Sequence, residues 1–367
     1  MRSGTDARPG RTLLTREVLP RGVIVLLGAA CMVVVVAGMR GVADLIGPVF
    51  LALMLTVTVS PITGWLRGHG APVWAAVTAM IITVNLILIG LGAALAVSVA
   101  QLIDMMPQYA AQFAELRDSL VQSLGGLGIS AAQLQDAVAG ADPNTVVNLI
   151  EGLLGGLAGT LSSTFFLLAC LLFMCLDAVS FPERLRTTNT ERPQVVSAFR
   201  SFAQGTRRYL WVSTVFGLIV AVIDTLALWA LDVPLPLLWG LLSFITNYIP
   251  NIGFVVGLVP PALLGLLQGG LELMLAVIAL YCVINFVIQS VIQPKIVGDA
   301  VGLSATVSFL SLIFWAWVLG GLGALLAIPL TLLAKGLLID IDPATRWVNV
   351  LLSSESPHPP EPLRSTS

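Results

Sequence analysis

The polar residues that could do work in this chain are few, and they fall inside its most apolar stretches. Asn285, Gln289 and Gln293 recur at intervals of four, which puts three amides on one side of a helix, with Cys282 on the same side. Such a stripe can bind a neutral polyol, coordinate a cation through carbonyl oxygens, or hydrogen-bond one helix to the next. Asp224, in IVAVIDTLALW, is the most deeply placed carboxylate. If buried it suits proton or sodium coupling, and if it lies near the interface it stays hydrated and needs no role. Asn247, Tyr248, Pro250, Asn251 and Gly253 form a polar, proline-bearing knot between two apolar arms. Asn85, in the middle of another apolar run, reads as interhelical glue.

Enzymatic chemistry lacks its parts. His69 falls in a short loop and His358 in a proline-rich tail, so no serine–histidine pair can assemble inside a membrane. There is no HExxH and no GxGD-like aspartate, and Lys295 and Lys335 are the only lysines, so no GxxxxGK[ST] phosphate loop exists. The reading is a non-enzyme without cofactor or metal, with no basic face for nucleic acid. Cys31, Cys170, Cys175 and Cys282 lie in apolar segments as packing residues.

The elements that must position these residues follow from composition. With 57% hydrophobic residues, 10% charged and a mean hydropathy of +0.95, the 367-residue chain reads as an all-α polytopic membrane protein. Runs at 22–39, 42–60, 73–100, 155–177, 209–231 and 271–293 are long enough to cross, giving about six full spans. Two further segments, 235–268 and 303–338, are broken near their middles, the first at the knot and the second at Gly320, Gly321, Gly323 and Pro329. Each arm of the first is roughly 22 to 24 Å long, short of the roughly 30 Å hydrocarbon core. These read as two re-entrant or broken helical hairpins; the alternative is eight spans. Irregular backbone at membrane depth must be satisfied by protein or by water in a cavity, and the reading favours a hydrated cavity at Tyr248 to Gly253.

Arginine placement sets the orientation. The basic tail 1–21 carries five arginines and the loop 181–208 carries six, which puts both in the cytoplasm. The acidic segment 101–152 belongs outside, with an apolar stripe of Tyr109, Phe113, Leu116, Leu120 and Leu124 that predicts a small extramembrane helical cap. Residues 22–352 make the transporter-like membrane domain, the carboxyl terminus returns to the cytoplasm, and 353–367 reads as disordered. The loop arginines face lipid phosphates, and Trp211, Trp239 and Trp347 read as interfacial anchors.

Tyr248-Ile249-Pro250-Asn251-Ile252-Gly253 with Pro260 resembles the YIPxxG motif of the autoinducer-2 exporter (AI-2E) family of bacterial permeases. Gln293-Pro294-Lys295-Ile296-Val297-Gly298 is similar to its QPxxxG stretch, Gly320 to Gly323 with Ile328-Pro329-Leu330 to its late glycine-rich segment, and Pro48 and Pro61 to its early span. Phe254, Ser304-Ala305 and Val212-Ser213 depart from the pattern. The resemblance implies small-molecule transport in the bacterial inner membrane, with autoinducer-2 export in some members and sodium/proton antiport in others, and implies a homo-oligomer. On this reading Asn247, Tyr248, Pro250, Asn251, Gly253, Asn285, Gln289 and Gln293 line the path of a small polar solute. Asp224 is the coupling candidate, and Pro294, Gly298, Gly320, Gly321, Gly323 and Pro329 act as hinges. The alternatives are a monovalent cation/proton antiporter, or a membrane scaffold that moves nothing.

Overall fold

The computed structural model describes residues 20–109, 112, 164–178, 180–250, 252–293, 295, 302–342, 345 and 347–352. Most of the expected external cap, the tail up to residue 19 and the tail from 353 lie outside the described residues. The described chain is all α, and the protein is a polytopic membrane protein with several long apolar helices.

Arg21–Gly41 forms α1, a unit by itself, and its Val25, Leu26, Val33 and Val34 are exposed. The second unit begins with α2 (Ala43–Gly68) and α3 (Val73–Met105), and continues after Thr164 with α4 (Thr164–Ala178) and the short α5 (Phe181–Thr188). Then comes α6, Pro193–Ala230, whose 38 residues make a rod about 57 Å long. The amphipathic start of that rod, with Val196, Ala198 and Phe202 buried and Arg200 exposed, runs without a break into the apolar span.

Past Leu235, which takes a left-handed conformation, α7 (Pro236–Thr246) runs back along α6. It leads through the knot into α8, Gly253–Asn285. This last stretch is two helices and not one, because Gly269 and Gly270 have non-helical dihedrals and Gly270 has φ 69°, accessible to glycine at little cost. In a straight helix residues 265 and 277 would stand about 18 Å apart. Here a Cβ on Gly265 would lie 3.5 Å from Val277. Residues 253–268 therefore pair with α7 as a re-entrant hairpin, and 271–285 starts the next span. Gln268 Nε2 donates to the carbonyl of Asp232 at 2.8 Å, so the hairpin's two ends meet at the same end of α6.

The span from 271 ends in a π-helix, Phe286–Ile292. The second hairpin is α9 (Ala305–Leu325) with α10 (Ala327–Lys335), followed by a π-helical turn, Gly336–Asp340, and α11 (Val348–Leu352). Gly320, with φ 65° and ψ −144°, folds it. Trp315 Nε1 donates to Thr331 Oγ1 at 3.0 Å, a contact that a straight helix would stretch to about 24 Å. Leu332 packs on Gly205, and Gly336 faces Ala198 and Phe202, so this hairpin opens toward the opposite end of α6 from the first. Among the expected hinges, Gly320 is the fold point and Gly323 lies against the Trp315 carbonyl. Pro329 instead occupies the first turn of α10, where a missing donor costs nothing. Pro294 and Gly298 lie outside the described residues.

Lipid tails are as apolar as leucine, so these helices are held by close packing and by hydrogen bonds more than by expulsion of water. Leu325 of the second hairpin packs against the cluster containing Leu238, Leu242 and Leu258 of the first. Small residues set the approach of α6 to the first hairpin: Gly240 abuts Thr225 and the Ala221 carbonyl, and Gly217 abuts Asn247.

Two expected roles change. Trp239 is 1% exposed and its Nε1 donates to the Pro234 carbonyl at 2.8 Å, which makes it a core residue and not an interfacial anchor; Trp211 and Trp347 are exposed. Asn85 Nδ2 donates to Ile81 O of its own helix at 2.8 Å, and among the described residues it has no hydrogen bond to another helix.

Candidate functional site

Where proline removes a backbone donor, the acceptor four residues earlier needs another partner. Pro61 in α2 frees the Val57 carbonyl. Arg207 of α6 donates to it through Nε at 3.3 Å and to Ser60 Oγ through Nη2 at 2.9 Å, while Ser60 Oγ also donates to the same carbonyl at 2.9 Å. The same rod serves the second break. The Tyr209 hydroxyl donates to the Tyr248 carbonyl at 2.7 Å, and the hydroxyls of Tyr248 and Thr214 lie 2.6 Å apart. Ile249 N–H bonds Thr246 O and Gly253 N–H bonds Ile249 O, at 2.8 and 3.1 Å. The Tyr248 carbonyl and the Ile249 and Gly253 amides are thus satisfied by protein. Within the stretch expected to face a hydrated cavity, the Tyr248 carbonyl is met by a tyrosine from α6, and Asn251 lies outside the described residues.

A polar cavity does exist, displaced from the knot toward the interior of the first hairpin. It is lined by Val220 and Asp224 of α6, Ser243 and Thr246 of α7 with Asn247 just past its end, Phe254, Tyr281 and Asn285 of α8, and Gln289 of the π-helix. Its unfilled space is at most about 190 Å³, below the roughly 300 Å³ at which ligand pockets begin. This is a constricted arrangement.

A chain of side-chain amides crosses its edge. Asn247 Nδ2 donates to the Ser213 carbonyl at 3.0 Å, Gln289 Nε2 donates to Asn247 Oδ1 at 3.0 Å and to Asn285 Oδ1 at 2.8 Å, and Asn285 Nδ2 donates to Tyr281 O at 2.9 Å. Three segments are tied by one network, α6, the hairpin and the span after it. Deeper in, Asp224 is fully buried, and neither carboxylate oxygen has a hydrogen-bond partner among the described residues. Ser243 and Tyr281 face it, but the Ser243 hydroxyl is engaged with Tyr281 OH at 3.4 Å. An unpartnered buried carboxylate is costly and persists where something repays it.

Of the residues singled out from sequence, the structure brings Asp224, Asn247, Asn285 and Gln289 into one cavity. Tyr248, Pro250 and Gly253 form the turn beside it and do not line it. Gln293 is half-buried beyond the cavity, Asn251 lies outside the described residues, and Cys282 faces outward, exposed, on a different side from Asn285. Ser243, Thr246 and Tyr281 were not singled out. Tyr281 had a signal, since it extends the stripe of Asn285, Gln289 and Gln293 one turn earlier at the same spacing of four.

Metal chemistry of the histidine, cysteine or clustered-carboxylate kind has no ligand set among the described residues. What the arrangement can do is offer hydroxyl, amide and carboxylate oxygens to a small polar or cationic species.

A family model described as AI-2E family transporter matches residues 25–341. The chain is 33% identical over 316 residues to the AI-2 transport protein TqsA of Escherichia coli strain K12, covering 85% of this chain and 90% of that protein. It is 31% identical over 315 residues to the putative transport protein YhhT of the same strain, covering 86% and 90%. To the putative transport protein YrrI of Bacillus subtilis strain 168 it is 25% identical over 306 residues, covering 80% and 85%.

Proposed function

The chain belongs to the AI-2E transporter family, and from that premise we propose that it is a secondary permease exporting a small, neutral, hydroxyl-rich solute of the AI-2 kind. The observation that carries this reading is the polar cavity between a re-entrant hairpin and the following span, bounded by Asn247, Asn285 and Gln289. Broken helices meeting a polar midplane site are a recurrent layout for secondary transport. Amide and hydroxyl groups donate and accept alike, which suits a neutral polyol. Energy comes from an ion gradient, and the protein performs no reaction on its cargo.

The reading places the protein in the bacterial cytoplasmic membrane as a homo-oligomer with both termini in the cytoplasm. The exposed Arg184, Arg186, Arg192 and Arg200 would then lie against lipid phosphates on that side.

One observation favours a second reading, monovalent cation/proton antiport. The two bare oxygens of Asp224 are groups that a proton or sodium ion would neutralise. Proteoliposomes loaded with AI-2 separate the two. Efflux that falls in Asn247→Ala and survives Asp224→Asn supports solute export. Sodium-for-proton exchange lost in Asp224→Asn, without AI-2 efflux, supports antiport. No flux of either kind overturns both and leaves a membrane scaffold.

A further inference from the structure

Gln289, whose side chain donates to both Asn247 and Asn285, sits in the middle of Phe286–Ile292, where the helix widens from the α to the π register. The widening is explicit in the backbone: Gln293 N–H donates to Ile288 O, five residues back. It begins where Asn285 turns its side-chain amide onto the Tyr281 carbonyl, a local bond that competes with the helical ladder. A π segment is a rare and less favourable register, retained mostly at functional positions. Here it has a visible consequence, since it aims Gln289 between the two asparagines.

We propose that Phe286–Ile292 is the moving part of a gate and that Gln289 is its latch. In the π register Gln289 closes the edge of the cavity by bridging the first hairpin to the span. Reversion to the α register slides the helix by one residue and turns Gln289 about the axis by up to about 100°. Both amide bonds then break, and the edge between Asn247 and Asn285 opens. The outward-facing side chains of the same segment, Phe286, Val287 and Ile292, are exposed apolar groups that turn against lipid, while the buried Ile288 packs with Phe216, Val220 and Ile284 and must shift within that cluster as the segment turns. The inference rests on the permease reading for its purpose, because that reading puts the cavity on the solute path.

The test uses the full-length chain in liposomes, with Cys31, Cys170, Cys175 and Cys282 replaced by alanine and Ser243→Cys placed in the cavity as reporter. The probe is the small thiol reagent 2-aminoethyl methanethiosulfonate, and its labelling rate is read in three backgrounds: Gln289 intact, Gln289→Ala, and deletion of Ser290, which removes the extra residue of the π segment. Loss of two amide hydrogen bonds predicts labelling at least about tenfold faster in both altered backgrounds. Faster labelling in Gln289→Ala alone would leave a seal without this hinge and overturn the proposal, as would no acceleration in either. Hydrogen exchange on the unaltered chain decides the matter if the deletion does not fold. Amides of 286–292 should then exchange at least about tenfold faster than those of 277–285, and equal rates refute the gate. No transported solute enters either measurement. A gate that opens in a protein that moves no AI-2 would therefore sink the permease reading and leave this one standing.

Discussion

Replacing Tyr209 by phenylalanine removes one oxygen and almost no volume, so it isolates the bond that closes the knot. The Tyr209 hydroxyl is 2.7 Å from the Tyr248 carbonyl, whose usual helical donor is lost because the amide of Ile252 bonds Pro250 O instead. Without the phenol, that carbonyl has no other donor among the described residues. The cost of an unsatisfied buried acceptor is about 1 to 3 kcal/mol. Local opening of the turn should become about 5 to 150 times more frequent, at 1.36 kcal/mol per factor of ten. The assay is hydrogen exchange at the amides of Ile249 and Gly253, whose bonds to Thr246 and Ile249 close the same turn. Exchange should accelerate by that factor in Tyr209→Phe, while amides of α2 keep their rates. Unchanged exchange at both positions would mean that the carbonyl finds water, and would refute the account of a break satisfied by protein.

Other outcomes follow from single features. Arg207→Met strips the Val57 carbonyl and Ser60 of a shared donor and should lower stability by about 1 to 3 kcal/mol, seen as earlier loss of monomeric protein on heating in detergent. Gly240→Ala places a methyl against Thr225 and the Ala221 carbonyl, costing about 1 to 3 kcal/mol by the same assay. Thr225→Ala should restore part of that loss. Gly320→Ala meets no neighbouring atom, so its cost is backbone strain alone, about 1 to 3 kcal/mol, and full stability there would argue against the fold-back at that residue.

The architecture was legible where glycine and proline punctuate apolar runs. Gly320 and the Tyr248–Gly253 knot mark real folds, whereas Pro48 and Pro61 stay inside α2, where Arg207 answers the carbonyl that Pro61 frees. The stripe of Asn285 and Gln289 was legible from its spacing, and so was the depth of Asp224. What could not be read were the partners across helices. Nothing in the chain announces that Tyr209 reaches a carbonyl 39 positions later, or that Arg207 answers Pro61. The interfacial rule for tryptophan holds for side chains that face lipid, and it misplaced Trp239 because a left-handed Leu235 turns the Pro234 carbonyl toward its indole. The π register was also hidden, since it changes the aim of Gln289 without changing the spacing of the residues around it.

The long rod α6 meets the first hairpin's ends near Asp232 and the second's returning arm near Ala198 and Gly205. Both hairpins therefore lean on one lever, at opposite arms. If the lever pivots by about 10° near its centre, its tips shift by about 5 Å in contrary directions, given a half-length of about 28 Å. Whatever such a pivot loosens at one face it tightens at the other, and simultaneous opening to both sides is mechanically disfavoured without any separate lock.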